Sequence, residues 1–289
     1  MENKYKYAKA IVLGSGKLAF DCAAECRKYL KNVEVLEYRV TDSTVLQKYC
    51  DKAELPYRCY GKAELKEHLT DQMENTLIVS AGNTYLIPRS VIEKSNLMII
   101  NWHNALLPRH KGRNAESWSI YAGDDVTGIT WHRITEDVDA GDVIAQREIG
   151  IEPAMTALKL FQKQCVVGAE VFGEILESVL LGECTFVKQQ PDVYGEMHYS
   201  YEVPNDGYLE LDWSMEHICR FLRAMDYGAL QLLGVNRVNW ENKEYQFRKY
   251  KIQELAGADT AENQIFMEGD DLVICREHEK IVLRGLEQV

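Results

Sequence analysis

The chain has 289 residues, with 33 Lys and Arg against 45 Asp and Glu, a formal net charge of −12. That balance disfavours nucleic acid as the main ligand, because gripping a polyphosphate backbone takes clustered cations. Apolar residues make up 46% and aromatics 10%, which excludes a disordered acidic tail and predicts a sizeable core, arranged by length as two domains of unequal size.

The chain starts MENKYKYAKAIVLGSG. Its apolar run is too short for a signal-peptide core, and no later stretch approaches the ~18 consecutive apolar residues of a membrane span. A cytoplasmic protein without a membrane partner is expected. Eight cysteines, at 22, 26, 50, 59, 165, 184, 219 and 275, include no C-x-x-C pair. Cys22 and Cys26 stand one helical turn apart in an apolar stripe with Ala19 and Ala23, which reads as reduced core thiols. The histidines show no ligand spacing, so no metal is expected.

Strand-like runs at 10–13, 33–38, 57–60, 77–80 and 97–101 are apolar throughout. Helical patterns lie between them, near 43–53, 61–69 and 88–95. Such alternation predicts a Rossmann-like α/β domain with a mostly parallel sheet, its ligand at the carboxyl edge of the strands. Two more strands, 127–134 and 142–151, flank the turn EDVDAG. A long helix over 156–181 follows, with Leu160, Phe161, Cys165, Val166, Ala169, Phe172, Leu176 and Val179 on its inner face. The composition then turns polar. Residues 1–190 are expected to form the main domain, 191–206 a linker, and 207–289 a small, mainly β domain of OB-like type. In that last part Ser214 caps a short helix and strands are expected at 229–234, 244–252, 264–267, 271–276 and 280–285.

Two motifs are candidates for chemistry. Gly14-Ser15-Gly16-Lys17-Leu18-Ala19 fits G-x-G-x-x-G/A between a strand and a helix. In an NAD(P)-dependent oxidoreductase it would admit a pyrophosphate, with Glu34 or Glu37 on a ribose hydroxyl; the other reading is a tight strand-to-helix turn. It is no P-loop, since Leu18 stands where Ser or Thr should follow the Lys. The second motif is richer: Asn101-Trp102-His103, then Leu106-Leu107-Pro108 through Gly112. Period-2 alternation sends the Asn101 and His103 side chains from one face of a strand end. An amide there can donate to developing negative charge and an imidazole can move a proton near neutral pH; the other reading is a strand end with one satisfied histidine. His132 alternates with Thr130 on the next strand, and a place in the pocket or in the core both remain open for it.

Some 35 residues on comes Asp137-Val138-Asp139-Ala140-Gly141-Asp142-Val143-Ile144. The order N-x-H, L-L-P-x-x-x-G, D-x-G-x-x-I resembles the folate-dependent formyltransferases, among them the glycinamide ribonucleotide, methionyl-tRNA and nucleotide-sugar enzymes. The likeness extends upstream to Ser80-Ala81-Gly82 and Leu86-Ile87-Pro88 and covers roughly residues 8–182. It implies Asn101, His103 and Asp139 as the catalytic residues and 10-formyltetrahydrofolate as the formyl donor. Gly82, Leu86, Ile87, Pro88, Glu136, Asp137 and Val138 would then lie on the folate side. It also implies that the first glycine turn binds no dinucleotide, Gly14 and Gly16 being there for close backbone approach.

The resemblance leaves the amine acceptor to be chosen. The purine-pathway enzyme resembles residues 8–182 alone, whereas this chain continues for about 80 residues more. Methionyl-tRNA is the alternative acceptor, but residues 200–289 hold 10 Lys and Arg against 17 Asp and Glu, a net of −7. Nor does 40–53 carry the basic loop of the tRNA enzymes. A nucleotide-linked amino sugar is therefore the favoured acceptor. Arg109, Lys111 and Arg113 are candidates for its diphosphate, and Asn114 and Glu116 for its hydroxyls or amine. Asn104, Ala105 and Glu116 depart from the family pattern, all on this acceptor side. A hydrolase, with water in place of the amine, is a further reading. A homodimer is allowed by the likeness to sugar-modifying enzymes.

Overall fold

A computed structural model of the chain describes residues 4–38, 44–71, 74–190, 197–254 and 261–289. The first part of the expected linker, 191–196, lies outside the described residues. The chain forms two compact units, each gathered from several segments. The first comprises Met1–Arg113, Val126–Gly150 and Gln162–Met197; the second comprises Asn114–Asp125, Ile151–Phe161 and His198–Val289.

The first unit is built on a seven-stranded sheet. Its strands are β1 (Lys9–Gly14), β2 (Asn32–Tyr38), β3 (Tyr57–Tyr60), β4 (Thr76–Ala81), β5 (Leu97–His103), β6 (Val126–Arg133) and β7 (Val143–Gly150). Their spatial order is β3-β2-β1-β4-β5-β6-β7. The first five run parallel, joined through helices Gly16–Arg27, Val45–Lys52, Lys62–Thr70 and Arg89–Ile92. β6 returns antiparallel to β5, and β7 antiparallel to β6. The mostly parallel sheet read from the apolar runs is thus present, with two antiparallel strands at one edge.

The central strands are apolar on both faces because helices cover both. Ile11, Leu13, Leu36, Ile78 and Ile99 form one cluster with Leu65, Leu69 and Val91 from the helices. Cutting such a leucine to alanine costs about 2–5 kcal/mol. The β1 turn explains its own glycines. A Cβ on Gly14 would lie 1.9 Å from the Ala81 carbonyl oxygen, so β1 and β4 approach this closely only around glycine. Gly16 has open space around it but a φ of +65°, which glycine adopts without steric cost. Thr44 caps the next helix by accepting the Gln47 N–H.

The helix Ala157–Leu181 corrects one expectation. Val166, placed on its inner face for being apolar, is 59% exposed. The buried stripe takes Gln164 and Gly168 instead. Gln164 Nε2 donates to the carbonyls of Asn104 and Gly128, at 2.7 and 3.1 Å. Gly168 lets indole rings close in: a Cβ there would lie 2.3 Å from Trp102 Nε1, and Trp131 Nε1 donates to the Gly168 carbonyl.

In the second unit the helix Met215–Ala224 is capped by Ser214, which accepts the His217 N–H, and buries Ile218, Phe221 and Leu222. Two four-stranded sheets complete this β-rich region. Tyr208–Leu209, Asn236–Trp240, Lys243–Phe247 and Glu287–Gln288 form one; Lys249–Glu254, Glu279–Arg284, Asp271–Glu277 and Ala261–Glu268 form the other. The strand expected at 229–234 is absent: Gly228–Leu230 is a 3-10 turn and the strand begins at Asn236. Left-handed backbone at Gly228 and Gln231 breaks the extended run, and Leu230 and Leu232 face outward. The run 244–252 divides between the two sheets at Arg248.

Candidate active site

The β5–β6 pair sets the site. Its antiparallel register places Asn101 opposite His132 and His103 opposite Thr130, with Trp102 facing Trp131 on the other side. Facing residues share a sheet face, so three polar groups, Asn101, His103 and His132, emerge together. The turn after β6 then delivers Asp139 at a φ of +51°. Asp139 Oδ2 lies 3.4 Å from His103 Nδ1, and its Oδ1 lies 3.4 Å from His132 Nε2 and 3.5 Å from Asn101 Nδ2. The Gly112 N–H donates to Oδ2 at 2.9 Å.

His103, His132 and the Asp139 carboxylate are all buried. Burial by itself would raise the Asp139 carboxyl, but His103, His132 and the Gly112 N–H outweigh it and hold the group well below the usual carboxylate range. Asp139 is therefore a fixed anion. His103 is pulled below the ordinary imidazole value by burial, against the opposing pull of Asp139. Its Nε2 lies 2.9 Å from the carbonyl of His110. Both ring nitrogens thus face acceptors, which only the doubly protonated ring satisfies in full, while burial favours the neutral ring. A histidine so balanced suits receiving a proton and giving it up again.

The loop after β5 is braced from behind. Thr130 Oγ1 donates to the Ala105 carbonyl and accepts the Leu107 N–H, and Gln146 Nε2 donates to Thr130 Oγ1 and to the Leu107 carbonyl. The Asp139 turn is clipped by Gln189, whose Nε2 donates to the carbonyls of Asp139 and Gly141, each at 2.8 Å. Gly141 is required there, since a Cβ would sit 1.8 Å from the Arg133 carbonyl oxygen.

The other expected residues take varied places. Gly82 has a φ of +66° and its carbonyl accepts from Ser15 Oγ; Asn83 ties the next turn by bonding Tyr85 through both amide ends. Leu86 is 76% exposed, Ile87 packs against the core, and Pro88 opens the short helix Arg89–Ile92. Arg89 pairs with Glu136 at 2.9 Å, bringing the 82–89 loop to the 136–138 turn, where Asp137 accepts Thr135 Oγ1 through its carbonyl and Val138 is 42% exposed. Two open apolar side chains beside exposed backbone suit one face of a flat heteroaromatic ring. Arg109 and Lys111 are half-buried and Arg113 is exposed. Asn114 and Glu116 belong to the second unit. There Asn114 stands left-handed before the helix Ala115–Ala122, and the buried Glu116 accepts the Tyr227 hydroxyl at 2.6 Å.

A cleft of about 350 Å³ opens at the first glycine turn, lined by Ser15, Gly16, Glu37, Tyr38, Thr44 and Asn83 among others. The carboxylates that a dinucleotide reading needs are engaged elsewhere. Glu37 accepts from Thr44 Oγ1 and Tyr57 OH, and Glu34 pairs with Lys9 and His68. Among the described residues no group of three or more His, Cys, Asp or Glu is arranged to hold a metal ion.

His132 and Gln189 are the site residues that sequence reasoning did not assign. The strand alternation Thr130–His132 was the signal for the first; nothing local marks the second.

A family model described as formyl transferase matches residues 31–176. Among curated relatives, the methionyl-tRNA formyltransferase of Ligilactobacillus salivarius is 31% identical over 179 residues, 58% of this chain and 54% of that one. The GDP-perosamine N-formyltransferase of Brucella melitensis is 31% identical over 149 residues, 52% of this chain and 56% of that one. The chain thus spans little more than half the length of these relatives, and identity does not separate the two acceptor classes. Among solved structures, the N-formyltransferase from Helicobacter canadensis, in complex with folinic acid and dTDP-3-aminofucose, has a TM-score of 0.75 at 17% identity, covering 97% of this chain and 99% of that one. At that identity the likeness shows the fold.

Proposed function

From the premise that this chain belongs to the formyl transferase family, we propose that it moves a formyl group from 10-formyltetrahydrofolate to the amine of a nucleotide-linked amino sugar. The observation that carries the reaction is the meeting of Asn101, His103 and Asp139 within 3.5 Å at one strand end. Asn101 donates to the oxygen of the formyl carbonyl as negative charge builds there; losing one such donor costs about 2.7–4 kcal/mol in well-studied cases. His103 takes the proton that the attacking amine sheds and passes it to the departing folate nitrogen. Asp139, kept ionised, steadies the imidazolium while the proton is held. On the donor side, the backbone of 82–88 and 136–138 faces the pterin, with Leu86 and Val138 against its ring.

In this reading residues 1–190 carry the catalytic domain and 207–289 the smaller one. Arg109, Lys111 and Arg113 meet the diphosphate. The small acceptor is favoured because residues 200–289 carry a net charge of −7, a poor surface for tRNA. The methionyl-tRNA relatives support a second reading, transfer to methionyl-tRNA. No described helix is long and apolar enough to cross a membrane; we place the enzyme in the cytoplasm, with a homodimer allowed by the likeness to sugar-modifying enzymes.

One assay tests this: formyl transfer from 10-formyltetrahydrofolate to a panel of amino-sugar nucleotides, with methionyl-tRNA and glycinamide ribonucleotide alongside. Formylation of a sugar nucleotide is the expected result. Turnover of methionyl-tRNA alone overturns the acceptor, and deformylation without any acceptor reveals a hydrolase. A melting-temperature shift with NAD(P)H and none with 5-formyltetrahydrofolate overturns the reaction itself.

A further inference from the structure

His132 lies outside the three residues to which the reaction is assigned, yet it stands directly opposite Asn101 and is buried beside it. Its Nδ1 is 3.0 Å from the Arg133 carbonyl and its Nε2 3.4 Å from Asp139 Oδ1, both acceptors; with the proton of the neutral ring on Nδ1, where the acceptor is nearer, Nε2 offers a lone pair. That lone pair is 3.1 Å from Asn101 Nδ2. The other neighbour of the same amide nitrogen is Asp139 Oδ1, also an acceptor, at 3.5 Å.

The two ends of an asparagine amide are nearly alike in shape, and only hydrogen bonding tells them apart. Here the distinction decides function, since the nitrogen end donates to an oxyanion and the oxygen end repels it. Turning the amide over would set its oxygen against a lone pair and a carboxylate together. The distances also rank the two contacts. The shorter, to His132, is an anchor; the longer, toward Asp139, is replaceable.

We propose that His132 is the positioning residue for Asn101: it fixes the amide with its nitrogen toward the reacting carbonyl, holding one N–H and leaving the second to the developing oxyanion. This rests on the formyl-transfer reading. The effect runs first through Asn101, the nearer partner of Nε2 at 3.1 Å against 3.4 Å for Asp139 Oδ1, so it touches the rate of the bound complex more than the binding of either substrate. Loss of the anchor leaves the amide free to turn its oxygen inward, and the cost approaches that of losing the donor itself.

The experiment measures kcat and KM in the full chain, with 10-formyltetrahydrofolate and an acceptor on which the unchanged chain turns over. His132→Phe keeps the ring shape without nitrogen and should lower kcat by about 10²–10³, while both KM values stay within about threefold. His132→Gln returns an acceptor oxygen near the place of Nε2 and should recover most of that loss. The double variant Asn101→Ala with His132→Phe should be only slightly slower than Asn101→Ala alone, since the anchor has no amide left to hold and only its longer contact to Asp139 is lost besides. Parent-level kcat in His132→Phe, or losses that multiply in the double variant, overturn the proposal. Should His132→Phe fail to fold, His132→Asn, whose amide falls short of Asn101, carries the same expectation and the same refutation. Full activity in Asn101→Ala overturns the reaction assignment instead, so the two failures are distinguishable.

Discussion

Asp139 and Gly112 are joined by a 2.9 Å hydrogen bond from the glycine N–H to Oδ2, the same oxygen that faces His103 Nδ1 at 3.4 Å. One carboxylate therefore ties the loop after β5 to the turn after β6 and also sets the His103 imidazole. Asp139→Asn removes the negative charge and leaves the shape. An amide in that place steadies an imidazolium poorly, so kcat should fall by about 10²–10⁴ with folate binding retained. Equilibrium binding of 5-formyltetrahydrofolate alongside turnover checks both halves.

The same groups predict how stability responds to acid. The folded-state pKa of Asp139 is held below its unfolded value, so the contribution is present above about pH 4 and is lost as pH falls through the folded value. His103 is also depressed, by burial. Its unfolded form takes up a proton below about pH 6.5 before the folded form does, so stability falls as pH drops from there toward the folded value. Denaturant midpoints should decline between pH 7 and 5 in the parent and decline less in His103→Gln. An equal decline in both would show that other groups set this limb.

How much of this was legible in the sequence depends on sequence distance. Asn101 and His103 share a face because they sit two apart on one strand, which period alone predicts. Asp139 was marked by its turn motif. The partnership of Asn101 with His132 needed the antiparallel register of β5 and β6, a pairing across 31 residues that no local pattern fixes. Gln189 reaches its turn from 50 residues away, beyond the long helix. In that helix hydrophobicity misassigned Val166, because the buried stripe there does polar work through Gln164 and admits two indoles at Gly168. The run at 229–234 misled for the opposite reason, three leucines suggesting a strand where glycine and left-handed glutamine bend the chain.

Gln189 yields an ordered pair of variants. Its Nε2 donates to two carbonyls of the Asp139 turn, and a typical hydrogen bond contributes about 0.5–1.5 kcal/mol. Gln189→Ala should loosen the turn and lower kcat by about tenfold or more, since small displacements of reacting groups are costly. Gln189→Glu should be worse than alanine at neutral pH, because a carboxylate donates nothing and repels both carbonyls. Steady-state kinetics ranks them; a glutamate variant as active as the parent would show that the clip is dispensable.

Gly141 tests the same turn by crowding. With a Cβ placed 1.8 Å from the Arg133 carbonyl oxygen, Gly141→Ala requires a backbone shift at the point where Asp139 is held. Overpacking of this kind costs about 1–3 kcal/mol. Thermal melts should show a drop of several degrees, and turnover should fall with it. Gly150→Ala, at a position with open space around it, serves as the control and should change neither.

Glu116 offers the last test, of the role in acceptor recognition expected for it from the sequence. Its carboxylate is buried and accepts the Tyr227 hydroxyl at 2.6 Å, and burial with the nearby charge pushes the Tyr227 hydroxyl far up. A buried carboxylate deprived of this donor loses about 1–3 kcal/mol, so Tyr227→Phe should lower the melting temperature measurably. Glu116→Gln keeps an acceptor oxygen for Tyr227 and should melt closer to the parent. If Glu116 also meets the amine or hydroxyls of the acceptor, Glu116→Gln raises the acceptor KM at near-parental stability, while Tyr227→Phe leaves that KM alone. An unchanged KM in Glu116→Gln, together with the stability loss in Tyr227→Phe, would assign Glu116 to holding the helix Ala115–Ala122 in place and leave acceptor recognition to other residues.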